Sequence, residues 1–228
     1  MLYKSTLLAE ASGSVDGLVF SHNRGGRYIR RRQIPTNPNS SYQQAIRSIF
    51  ADGMGRWRDV LTAAQRTAWT LYAANTPVVN ALGETIYLTG PQMYIRTNVV
   101  SVLAYDVWFD DGPTTFGLTE LSPLTMTVTA PAATISVAFD NTDEWAGQAD
   151  GFLVMFIGKP QSPTINFFKG PFRKADGLQG NSVPPASPHS FANPHYPVTA
   201  GQLVYCRFIA CDEQGRLSVP QIISDVAA

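Results

Sequence analysis

The stretch Ile34-Pro35-Thr36-Asn37-Pro38-Asn39-Ser40-Ser41 divides the chain. Pro35 and Pro38 fix φ and push Ile34 and Asn37 toward extended backbone, so no helix begins before Asn39. Asn39, Ser40 or Ser41 then offers an N-cap oxygen, and Gln43 or Gln44 follows at capping-box spacing. Beyond the cap, Ile46, Ile49, Phe50, Gly53 and Trp57 recur at helical intervals, while Arg47, Asp52 and Arg56 fall elsewhere on the wheel. Gly53 and Gly55 each weaken such a helix by roughly 1 kcal/mol relative to alanine, and their expected use is close approach of another backbone. Thr62-Ala63-Ala64-Gln65 is a second capping box, opening a helix through Arg66, Ala68, Trp69, Leu71 and Tyr72 that Asn75-Thr76-Pro77 stops. The two segments read as an αα-hairpin anchored by Trp57 and Trp69.

Working outward, residues 1–38 read as an extended arm. Gly13 to Asn23 and Arg27 to Arg32 are short β-capable runs flanking Arg24-Gly25-Gly26, a hairpin signal. Residues 1–33 carry Lys4, Arg24, Arg27, Arg30, Arg31 and Arg32 against Glu10 and Asp16, six basic groups against two acidic, +4. Strand alternation places Tyr28, Arg30 and Arg32 on one face and Arg27, Ile29 and Arg31 on the other, so neither face is a clean basic stripe. A lone hairpin is marginal in water. It must lean on its own domain, a neighbouring subunit or a polyanion.

On the C-terminal side, Val78 to Leu88 reads as an irregular loop with a short strand. Thr89-Gly90-Pro91-Gln92 starts a third helix, buried through Met93, Ile95, Val99, Val100 and Leu103. Asp110-Asp111-Gly112-Pro113 is the clearest turn. The expected organisation is an arm at 1–38, a helical domain at 39–109, a linker at 110–121 and a β-sandwich at 122–228. Strands are expected at Leu124–Thr129, Thr134–Phe139, Gly151–Ile157, Asn166–Lys169, Gly201–Cys211 and Val219–Ser224. The proline-dense run from Pro184 to Pro197 reads as a surface loop. The fold class is therefore α+β, with an antiparallel sandwich as its C-terminal half.

Composition removes several functions. The chain has 17 basic and 17 acidic residues among 228, a balance that argues against bulk nucleic-acid binding and gives no attraction to acidic membranes. No run approaches the ~18 apolar residues of a membrane span. The N-terminus lacks the apolar core of a secretory signal, so synthesis and assembly in a cytoplasm are expected. Cys206 and Cys211 lie five apart in one expected strand, on opposite faces and roughly 16 Å apart, too far for a disulfide. Arg24-Gly25-Gly26-Arg27 lacks the lysine–hydroxyl pair of a phosphate loop, and neither a Gly-x-Ser-x-Gly elbow nor a His-Glu-x-x-His pair occurs. His22, His189 and His195 are scattered. Asp140-Asn141-Thr142-Asp143-Glu144 gathers oxygen ligands, but a solvated turn is the default over a calcium loop. No catalytic residue, metal or cofactor is expected, and the chain reads as a non-enzyme.

Two resemblances add to this. The run from Ala200 to Ser218, Ala-Gly-Gln-Leu-Val-Tyr-Cys-Arg-Phe-Ile-Ala-Cys-Asp-Glu-Gln-Gly-Arg-Leu-Ser, resembles the last two strands of a fibronectin type III or related immunoglobulin-like module. That likeness covers roughly Ser122 to Val226, and the tryptophan such modules carry in an early strand is not evident. In the front half the pattern comprises Ser12-Gly13-Ser14-Val15-Asp16-Gly17-Leu18-Val19-Phe20, Gly25-Gly26-Arg27-Tyr28-Ile29-Arg30 and Asn37-Pro38-Asn39-Ser40. It continues through Gln43, Arg47, Trp57 and Leu61-Thr62-Ala63-Ala64-Gln65-Arg66-Thr67-Ala68-Trp69. It resembles a group of phage- and prophage-associated proteins, which implies a virion structural component of the head, neck or tail.

The partners then expected are other copies and other virion proteins. Phe20, Arg24, Arg27, Tyr28, Arg30, Arg31, Arg32, Trp57 and Trp69 are the assembly candidates. Two alternatives are a carbohydrate- or cell-surface-binding module using Trp145, Phe191, His195 and Tyr196 on a host glycan, and an internal nucleic-acid-associated virion protein using the arginines. Exposed rings at Trp145 and Phe191–Tyr196 would favour the glycan reading, and buried ones would remove it.

Overall fold

Helix caps, tight turns and strand alternation set the boundaries seen in the computed structural model. It describes residues 13–23, 26–34, 36–79, 84–131 and 134–228, with the side chains of 22, 23, 26 and 27 outside that description. The fold is α+β, with three helices and several antiparallel sheets among the described residues. The chain divides into two compact units, Met1–Ser41 and Tyr42–Ala228.

The first unit is a three-stranded antiparallel sheet in the order β1 (Gly13–Val15), β2 (Leu18–Asn23), β3 (Gly26–Arg31). The expected hairpin is present as β2–β3. An additional strand, β1, was hidden in the sequence because three residues beginning with glycine are too short to show alternation. Asp16 and Gly17 form the turn that joins it, both at positive φ (38° and 79°), the backbone that an Asp-Gly pair favours. The register pairs Val15 with Leu18, Leu18 with Arg31 and Phe20 with Ile29 on one face. Val19 opposite Arg30 and Ser21 opposite Tyr28 share the other, as the alternation requires.

Asn39 has a φ of 47°, and its N–H donates to Asn37 Oδ1 at 3.2 Å, an Asx turn directly before the first helix. That helix, α1, spans Ser41–Asp59. Helix α2 (Ala63–Asn75) has the expected capping box: Gln65 N donates to Thr62 Oγ1 at 3.2 Å, and Thr62 N to Gln65 Oε1 at 2.8 Å. After a two-stranded ribbon, β4 (Val78–Val79) and β5 (Thr85–Ile86), α3 runs Gly90–Tyr105 with Pro91 in its first turn. It stops at Asp106, where φ is 57° and the N–H bonds Val102 O at 3.0 Å.

The αα-hairpin expectation is corrected here. Helix α2 packs along α3, around Leu61, Trp69, Tyr72, Met93, Tyr94 and Ile95, whereas α1 fully buries only Gly53. Side chains rather than a backbone approach Gly53, namely Ile95 and Trp108, and Gly55 faces open space.

The remaining strands are β6 (Thr125–Val128), β7 (Thr134–Ala138), β8 (Phe152–Gly158), β9 (Phe172–Gln179), β10 (His189–Ala192), β11 (Leu203–Cys211) and β12 (Gln221–Val226). They form two antiparallel sheets, β10-β7-β6 and β12-β11-β8-β9. Val128, Ile135, Val137, Leu153, Met155, Ile157, Phe191, Cys206 and Phe208 belong to the cluster buried between them. On the other face of the four-stranded sheet, Phe152, Val154, Phe156, Ile209 and Cys211 meet Val100, Ala104 and Tyr105 of α3. Strand β8 is covered on both faces, which is why its sequence is a continuous apolar run rather than an alternating one.

Three sequence expectations change. The fourth strand lies at Phe172–Gln179, not at Asn166–Lys169, and the proline-dense run contains β10. Both are edge strands, paired on one side, so they need neither strong β propensity nor freedom from nearby prolines. Residues 110–121 are not a free linker. Thr114 N donates to Gln214 Oε1 (3.0 Å), Gly117 N to Thr76 Oγ1 (3.1 Å), and Tyr72 Oη to Gly117 O (3.0 Å). The helical and β segments thus form one compact unit.

Two glycines test this packing. A Cβ on Gly112 would lie 2.7–2.9 Å from the N of Trp69 and the C and Cβ of Ala68, whereas one on Gly55 meets nothing within 4 Å. Gly112→Ala is expected to cost about 1–3 kcal/mol. Gly55→Ala is expected to stabilise by up to about 1 kcal/mol. Thermal melts of both variants check the opposite signs.

Candidate assembly surfaces

In the arm, Arg30, Arg31 and Arg32 are exposed, and Phe20 and Tyr28 are half-buried. Arg24 lies outside the described residues. Arg27 is in β3, with its side chain likewise outside the description. Val15 and Leu18, not singled out in the sequence, are 65% and 44% exposed and share a sheet face with Arg31.

Trp57 and Trp69 come together on one ring, that of Tyr94. Trp69 meets it edge-on at 5.5 Å and Trp57 at 5.7 Å, while Trp108 stacks at 6.4 Å. Beside this cluster sits Asp110, whose carboxylate accepts from Arg56 Nη2 (2.5 Å), Arg56 Nε (3.3 Å) and Tyr94 Oη (2.9 Å). The Asp110 carbonyl accepts from Trp69 Nε1 at 3.0 Å. Hydrogen bonding to Asp110 holds the Arg56 guanidinium above its ordinary range, and burial pushes the Tyr94 hydroxyl well up. Trp69 is fully buried here and presents nothing to a neighbour, so it is a core residue rather than an interface. On α1, Phe50 and Met54 are 52% and 42% exposed. With Pro91, Ile95 and Arg96 they line a groove of about 420 Å³. Their i, i+4 spacing, beside the Gly53–Trp57 stripe, was the available signal.

The glycan candidates do not form an aromatic platform. Trp145 and Phe191 are both 0% exposed. A 3-10 turn (Glu144–Gly147) carries the Trp145 ring inward to 5.3 Å from Phe139. Alternation along β10 aims Phe191 at Phe208, 5.8 Å away. His195 and Tyr196 are half-buried. His195 Nε2 donates to Lys174 O at 2.6 Å, and the Arg173 guanidinium lies 5.9 Å from the Tyr196 ring.

Other reactive side chains are held structurally. Within the acidic run, Asp140 accepts from Thr142 N and Oγ1, Asp143 from Ser122 N and Oγ, and Glu144 from Arg216 Nη2. Asp212 is fully buried and accepts from the N–H groups of Gln214 and Arg216 and from Arg216 Nε. Burial pushes its carboxyl up, against the pull of those donors. No group of three His, Cys, Asp or Glu among the described residues is placed to hold a metal ion. No helix among them is long and apolar enough to cross a membrane.

Both cysteines are free and buried, on opposite faces of β11. Burial pushes the Cys206 thiol up to about 12 and raises the Cys211 thiol well above its usual range. Neither thiol is expected to react with an aromatic disulfide reagent at pH 8 in the folded protein, and both react in denaturant. A native pKa above the unfolded one stabilises fully below the unfolded value and is lost as pH rises through the native value. Stability is therefore expected to fall between about pH 9 and 12, with Tyr72 and Tyr105, also raised to about 12 by burial, contributing. Denaturant midpoints across that range check the sign. Asp110→Ala, which orphans the Arg56 guanidinium and the Tyr94 hydroxyl, is expected to cost about 1.5–3 kcal/mol by chemical denaturation.

No protein-family model, curated protein or solved structure matches this chain.

Proposed function

We propose that the protein is a non-enzymatic structural component of a bacteriophage particle, a head decoration, minor capsid, neck or tail protein that assembles through its N-terminal arm. The observation that carries this reading is the separate compact unit at Met1–Ser41, a sheet whose outer strands β1 and β3 are edges among the described residues. Edge strands pair readily with another chain, and an arm gains stability by burying backbone and aromatic groups on a neighbour. The resemblance of residues 12–98 to phage-associated proteins supports the particle assignment, with residence in the virion. The strand orders β10-β7-β6 and β12-β11-β8-β9 support reading residues 122–228 as a fibronectin type III or immunoglobulin-like module, presented outward as decoration.

A second reading, an internal nucleic-acid-associated virion protein, draws on the exposure of Arg30, Arg31 and Arg32. It requires steeply salt-dependent DNA binding that is lost when those arginines are replaced.

The test compares the full chain with a variant lacking residues 1–33 by size-exclusion chromatography with light scattering. The full chain is expected to assemble and the shortened chain to be a folded monomer. Assembly of both species would remove the arm from the mechanism.

A further inference from the structure

Charge divides along the same line as the fold. Residues 1–41 hold six basic and two acidic side chains, +4, and residues 42–228 hold eleven basic and fifteen acidic, −4. A chain neutral overall is thus made of two units of opposite and equal charge. Arg30, Arg31 and Arg32 are exposed, and none pairs with a described carboxylate. On the sheet face that carries Arg31, Val15 and Leu18 are exposed. This face therefore offers apolar contact area next to positive charge.

We infer that this face docks on the acidic body of a second copy of the chain. The inference rests on the arm-mediated assembly proposed above and names the arm's partner. Between copies the charges match four for four, so pairing neutralises both units. A nucleic acid taking the same arm would draw the −4 body toward its own phosphates. Charge complementarity of this kind steers encounter and selects the partner, while the apolar groups supply contact that salt does not screen.

The experiment follows the full-length chain by sedimentation velocity from about 25 to about 500 mM NaCl, a range over which the screening length shrinks from roughly 20 Å to roughly 4 Å. The apparent association constant is expected to fall at least about tenfold across the range and to recover on desalting. Arg30→Glu, Arg31→Glu and Arg32→Glu together take the arm from +4 to −2 and are expected to give a monomer at every salt concentration. The corresponding triple lysine variant, which keeps the charge, is expected to assemble. Salt-independent assembly, or assembly retained by the triple glutamate variant, would overturn the inference. So would a wild-type chain that stays monomeric, with its arm held within the molecule or on added duplex DNA. If removing residues 1–33 abolishes assembly while the glutamate variant still assembles, the arm reading stands and this inference alone fails.

Discussion

Three helices converge on one residue, Asp110. Its carboxylate takes Arg56 from α1 and Tyr94 from α3, and its carbonyl takes Trp69 from α2. Charge-assisted hydrogen bonds are the stronger kind, and at this half-buried position the carboxylate and guanidinium are partly withheld from water. The interaction matters most for α1. That helix fully buries only a glycine, so its lateral position depends on Arg56, Trp57 and the side chains lying over Gly53. Asn98 completes the frame by bonding the backbone on both sides of the gap: its Nδ2 donates to Tyr94 O and Phe109 O, and its Oδ1 accepts from Phe109 N at 2.7 Å. A buried asparagine with these partners holds residues 108–110 against α3, and so places Asp110 where the helices meet.

The same segment ties the helices to the sheets. Phe109 belongs to the cluster between α3 and the four-stranded sheet, and Thr97 of α3 donates to Gly215 O at 3.0 Å. Gly215 lies in the turn after β11, which Asp212 and Arg216 close with buried charge. Arg216 also reaches Glu144 in the turn that buries Trp145. A buried ion pair is weak evidence for stability by itself. Here the buried Asp212–Arg216 pair closes the turn after β11, and the half-exposed Glu144 links Arg216 to the turn before β8. Nearer the start of α1, Arg207 lies between Phe156 and Phe172, with its guanidinium 4.7 and 5.3 Å from the ring centres. Lys174 N donates to the hydroxyl of Tyr42, so the first turn of α1 is tied to strand β9.

What was legible in the sequence was what three or four consecutive residues decide. Both Thr-x-x-Gln boxes, the Pro35–Pro38 stop, the Thr76-Pro77 end and the Gly-rich hairpin are local chemistry, and the structure places element boundaries there. The central strands β8 and β11 were legible for another reason: burial on both faces demands long apolar runs. Features set by tertiary neighbours were not readable. Strand β9, Phe-Arg-Lys-Ala-Asp-Gly-Leu-Gln, has little β character, and it forms because β8 offers an open edge. Asp110-Asp111-Gly112-Pro113 has the composition of a boundary, and only the approach of Arg56, Tyr94 and Trp69 turns it into a hub. Trp145 sits among polar residues in sequence, and a single 3-10 turn sends its ring into the core. Phe50 was counted with the helical stripe because helical spacing cannot separate a face from its flank.

Several side chains capable of chemistry are committed within the described structure. Asp110, Asp143, Glu144 and Asp212 each hold a named partner, His195 donates to a backbone carbonyl, and both thiols are sealed in cores. Among the groups facing solvent are Arg30 and Arg31 of the edge strand β3 and Arg32 just past it, Val15 and Leu18 on the face of Arg31, and Phe50 and Met54 over a groove. None of these side chains moves a proton near neutral pH or makes and breaks bonds. What they supply is contact area and charge, and burying that apolar surface is favourable at roughly 25 cal/mol per Å² wherever a complementary surface meets it.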